Sequence, residues 1–110
     1  MTVLEYVMPN GRCPFRDWLE GLDAAVAGRV QARLQRFREG NLGDHKWIAS
    51  GIWEARIEAG PGYRVYYGRD GLSIILLLAG GDKSSQRRDI QRAIWFWREY
   101  RLGKNDGPTT

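Results

Sequence analysis

One cysteine, an acid count that falls short of the bases, and no apolar run of membrane-spanning length set the first limits on this chain of 110 residues. The lone Cys13 excludes an internal disulfide framework and any zinc site built from several cysteines, which fits a reducing, cytoplasmic home. The opening stretch "MTVLEYVMPNGR" carries an early acid and no long apolar core, so neither a signal peptide nor a membrane partner is expected. Repeats and low-complexity tracts are missing too. With 13 acidic against 17 basic residues the net charge is +4 and the pI about 9.6, a lean towards nucleic acid or an acidic protein partner. What is present is an apolar share of 43% with 12% aromatics, enough to bury one core and too short for two. A single domain over residues 1–102 is expected, followed by a turn-rich, frayed tail, "GKNDGPTT", at 103–110.

Periodicity orders the chain. Residues 2–8, "TVLEYVM", read as a strand that stops at Pro9-Asn10-Gly11. From Pro14 the spacing of Phe15, Trp18, Leu19 and Leu22 is helical, and Asp23 reads as the N-cap of a longer helix running towards Gly40. That helix places Val26, Val30, Leu34 and Phe37 on one stripe and arginines over much of the rest, ordinarily a solvated face. "GNLGDHKWIASG" reads as a loop. Beyond it Trp53, Ala55 and Ile57 alternate with Glu54, Arg56 and Glu58, and Tyr63, Val65 and Tyr67 with Arg64 and Tyr66. Asp70-Gly71 turns the chain into "LSIILLLAG", an unbroken apolar run suited to mid-sheet. A helix from residue 84 to about 102 closes the chain on Ile90, Ala93, Ile94 and Trp97, with Trp95 off the stripe. The order is β-α-α-β-β-β-α: an α+β, two-layer fold, mainly antiparallel, with helices on one face of the sheet.

That arrangement predicts an open sheet face carrying Glu54, Arg56, Glu58, Arg64 and Tyr66. Arg56 and Arg64 there either form cross-strand pairs with the two glutamates or present a pair of guanidinium groups. Lys83 falls where the last strand meets the last helix, beside Ser84 and Ser85, and a helix start offers unpaired N–H groups to an anion. Two arginines and this lysine would form a phosphate cradle.

The segments "GNLGDHK", "GIWEARIEAGPGYRVYYG" and "LLLAGGDKSSQRRDIQRA" resemble the addiction-module killer proteins, a HigB-like branch of the RelE/ParE toxin superfamily, over residues 15–97. The resemblance implies the toxin of a type II toxin–antitoxin pair and a RelE-like fold. Its expected partners are mRNA, the ribosome and an adjacently encoded antitoxin, often of helix-turn-helix type. RelE-like members cut mRNA on the ribosome as metal-independent endoribonucleases with no cofactor, whereas ParE-like members inhibit DNA gyrase without cutting. For a ribonuclease, the ribose 2′-OH attacks the adjacent phosphate, and the resemblance assigns Arg64 and then Lys83 to that phosphate. Arg56 is a third cation, Tyr66 an orienting or protonating group, and His45 a catalytic candidate in the loop before the second strand. Lys46, Ser84, Arg87 and Arg88 are expected RNA contacts, and Asp89 is a substitute base or a helix-dipole residue.

Overall fold

The computed structural model describes residues 1–49 and 51–105, side chains of 104 and 105 excepted. Its elements are β1 (Thr2–Glu5), α1 (Pro14–Glu20), α2 (Ala24–Arg38), β2 (His45–Ala49), β3 (Ile52–Ile57), β4 (Tyr63–Asp70), β5 (Ile74–Asp82), a 3-10 turn (Lys83–Ser85) and α3 (Gln86–Asn105). Proline at the start of α1 forfeits an N–H that has no intrahelical partner there anyway. Asp23 caps α2 as its position suggests, accepting from the Val26 N–H at 3.0 Å. Among the described residues no helix is long and apolar enough to cross a membrane.

The fold is α+β, built on a five-stranded mixed sheet in the order β1-β5-β4-β3-β2. β1 runs parallel to β5, and every other neighbouring pair is antiparallel. Two expectations are corrected here. The stretch expected as a loop contains β2, because His45–Trp47 pair with Ala55–Trp53 across a tight turn. In that turn Gly51 takes φ +80° and lies against the Trp97 indole, so a side chain would be excluded twice over.

The second correction concerns the layers: helices cover both faces, not one. Phe15, Leu19, Val30, Leu34 and Phe37 of α1 and α2 pack on Ala55, Val65, Tyr67, Ile75 and Leu77. On the reverse face Ala93, Phe96 and Trp97 of α3 pack with Tyr6 on Ile52, Tyr66, Leu76 and Leu78. A bulge sets the phase at the end of β5: Tyr66 pairs with Ala79 but Tyr67 with Leu77, so Leu78 is the extra residue. Gly80 therefore falls under the Trp18 ring and Gly81 under the Asp89 carboxylate, positions where a Cβ would collide. The Trp97 ring rests on Gly68 in the same way. α3 continues three residues beyond the expected boundary at 102, and of the expected tail, residues 106–110 lie outside the described residues.

Candidate functional site

The α3 face of β3 and β4 brings the charged residues together around one carboxylate. Alternation puts Glu54 and Arg56 of β3 on that face, and the register sets Arg56 directly opposite Arg64 and Glu54 opposite Tyr66. The helix start then covers them. Glu54 is fully buried and Arg64 is 8% exposed, their nearest atoms 3.3 Å apart. Gln86, the first residue of α3, donates from Nε2 to Glu54 Oε1 at 3.0 Å, and Arg56 Nε stands 3.9 Å from Oε2. Burying a carboxylate is costly unless charged and hydrogen-bonding partners replace its water, and three side chains from two strands and a helix supply them.

This geometry corrects several expectations from sequence. Arg64 does share a face with Arg56, yet it does not project into solvent; α3 roofs it and Glu54 engages it. Tyr66 is fully buried, and burial together with the Glu54 and Asp89 charges pushes its phenol well above the usual tyrosine range, so it is no accessible proton donor. His45 lies on the opposite, α2 face, paired with Ala55, its Nδ1 2.8 Å from the Gly43 carbonyl and its ring 5.2 Å from that of Trp53. It does not join the arginines. Lys46, its neighbour, does face their side, opposite Glu54, and is exposed.

The helix start is also occupied. Asp82 Oδ1 accepts from the Ser84 N–H at 2.8 Å and the Ser84 hydroxyl at 2.6 Å, while Ser85 Oγ reaches back to the Asp82 N–H. Those hydroxyl and N–H contacts hold the Asp82 carboxyl below the usual range. A carboxylate thus sits where a phosphate was expected, and Ser84 is spent on it. Lys83, Arg87 and Arg88 remain exposed around it. Asp89 is buried, accepts from Ser85 Oγ at 2.5 Å and abuts Gly81, a structural fastening of α3 to β5. A cleft of about 870 Å³ opens beside it, with Arg12, Asp17, Trp18, Asp82, Arg88 and Arg92 on its walls.

The structure therefore assembles Glu54, Arg56, Arg64 and Gln86, with Lys46 alongside, buries Tyr66 beneath them opposite Glu54 and leaves His45 out. Glu54 and Gln86 were not picked out as functional from sequence. The available signal was Glu54 itself, an acid two residues before Arg56 in a strand whose other members are apolar. Among the described residues no group of His, Cys, Asp and Glu is arranged to hold a metal ion. No protein-family model matches the chain. It is similar to a protein of Haemophilus influenzae described only as uncharacterized, with 42% identity over 80 residues, covering 72% of this chain and 81% of that one.

Proposed function

We propose, for a chain that belongs to one family with that Haemophilus influenzae protein, the role of toxin in a type II toxin–antitoxin module: a RelE/HigB-like endoribonuclease that cuts mRNA on the ribosome in the cytoplasm. The observation that supports this reading most is the pair of arginines facing each other across β3 and β4, held by one buried carboxylate. Arg56 is the exposed member, its side chain half accessible, and is the guanidinium available to a phosphate. Arg64 is a positioning residue: it pairs with Glu54, whose buried charge lies 3.9 Å from the Arg56 guanidinium. In the reaction the ribose 2′-oxygen bonds to phosphorus as the bond to the 5′-oxygen breaks, leaving a cyclic phosphate and a free 5′-hydroxyl. Charge collects on the non-bridging oxygens in the transition state, where fixed guanidinium donors are most effective. A cationic rim of Lys46, Lys83, Arg87 and Arg88 would hold flanking phosphates.

Induction of the protein in bacteria, with mapping of mRNA 5′ ends, tests the reading. The parent should arrest growth and generate new 5′ ends, and co-expression of the adjacently encoded antitoxin should relieve the arrest. Arg56→Ala should melt near the parent temperature, since Arg56 is half exposed and 3.9 Å from Glu54, and Arg64 and Gln86 stay on that carboxylate. It should cut about two to three orders of magnitude more slowly, as on deletion of one transition-state donor. Arrest with DNA-damage signalling and intact mRNA would instead assign the chain to gyrase inhibition.

A further inference from the structure

One of the two outer strands of the sheet, β2, carries two chemistries in alternation. His45 and Trp47 lie on the α2 face with Trp53, to which Trp47 is the cross-strand partner. Trp47 is 57% exposed although it belongs to a strand. Lys46, between them, points to the other face, on the same side as Arg56, and both are exposed. On that same α2 face the Arg33 guanidinium donates to the carbonyls of Leu42, Asp44 and Arg56, tying down the segment that leads into His45. Exposed rings on one side of a narrow edge and cations on the other match what an unpaired nucleic-acid strand presents, a π-face at each base and an anion at each linkage.

We propose that β2 is a binding strip for single-stranded RNA. An unpaired base stacks on Trp47 beside His45, and the backbone passes over the sheet edge so that Lys46 and Arg56 take the neighbouring phosphates. The inference rests on the RNA reading above and deepens it by naming the form of RNA and the residue that selects it.

The test is equilibrium binding of a fluorescein-labelled oligouridylate and of an RNA duplex of equal length, over a range of salt. Trp47→Ala should weaken oligouridylate binding about ten-fold or more while leaving the salt slope unchanged, because stacking releases no counterions. Trp47→Phe should restore most of the affinity, and tryptophan emission that is quenched by RNA in the parent should be largely lost from it. Lys46→Ala should instead flatten the salt slope by about one unit. The duplex should bind more weakly and be indifferent to Trp47→Ala. Parent-like oligouridylate affinity in both Trp47 variants would overturn the strip and leave the RNA reading standing, and a parent that binds no oligouridylate even at low salt would overturn the strip too, cleavage on the ribosome being decided separately by the mapping of mRNA 5′ ends. A parent dimer that Trp47→Ala converts to monomer would give the edge to a second copy of the chain and overturn the strip as well.

Discussion

Glu54 is a carboxylate with no solvent of its own, and the Arg64 guanidinium 3.3 Å away takes the place of that water. Removing one member of a buried pair strands the other, so Arg64→Ala should cost about 3 kcal/mol, towards the low end for such pairs because Gln86 still donates to Glu54. Replacing both by apolar residues, Glu54→Leu with Arg64→Met, should recover most of that loss. Urea melts of the two single variants and the double variant read the coupling directly, and an Arg64→Ala midpoint equal to the parent's would show that the remaining partners suffice. Tyr67 offers the opposite case. Its hydroxyl is buried with no hydrogen-bond partner among the described residues, so Tyr67→Phe should stabilise by up to about 1 kcal/mol at neutral pH. Burial pushes the phenol up to about 12, opposed by the Arg69 and Arg33 charges. The folded chain thus keeps a proton that the unfolded chain releases near pH 10, and this contribution to stability is whole below pH 10 and lost as the pH rises towards 12. Thermal melts across that window should fall less steeply for the phenylalanine variant.

Packing of α3 onto the sheet depends on glycine as much as on apolar residues. Gly68→Ala pushes a methyl into the Trp97 ring and should cost about 1–3 kcal/mol. Gly28→Ala in the middle of α2 meets no atom within 4 Å and should gain about 0.5–1 kcal/mol, so melts of the two variants should move in opposite directions. The stripes of α2 and α3 were legible from sequence because a 3.6-residue period survives without knowledge of what covers it: Val26, Val30, Leu34 and Phe37 are all buried, as are Ala93 and Trp97, and Trp95 is 54% exposed. The covering of the second face was not, because Glu54, Arg64 and Tyr66 alternate with apolar residues as solvent-facing positions do, and it is α3, distant in sequence, that covers them, with Gln86 on Glu54 and Ala93, Phe96 and Trp97 in the cluster around Tyr66. The run Ile75–Leu78 held the contrary signal, since consecutive apolar residues on a strand need cover on both faces. β2 escaped notice because it is a short edge strand between glycines whose pairing is set by β3. The same limit hid the site: the two arginines could be read, but the carboxylate that joins them could not be told from a surface partner.

At the scale of the whole molecule the positive excess is spread over the two helical layers and the β2 edge, while the paired acids Glu54 and Asp89 are internal. The strand order has a consequence for how the chain comes off the ribosome. β1 is made before the other four strands, yet among the described residues its one neighbour in the sheet is β5, with Thr2 paired to Ile74 and Glu5 to Leu77. Closing that long loop costs entropy that no earlier contact within the sheet returns to β1. A nascent chain halted within β4 should therefore leave its N-terminal strand open to protease, and protection there should appear only when β5 has cleared the exit tunnel. Pulse proteolysis of stalled chains of increasing length would read that step, and early protection of residues 2–5 would mean that β1 finds a temporary partner. Gln86 comes later still, so the carboxylate between the two arginines is roofed only once the start of α3 has followed β5 out, and a chain halted before it carries the arginines without the Gln86 contact to Glu54.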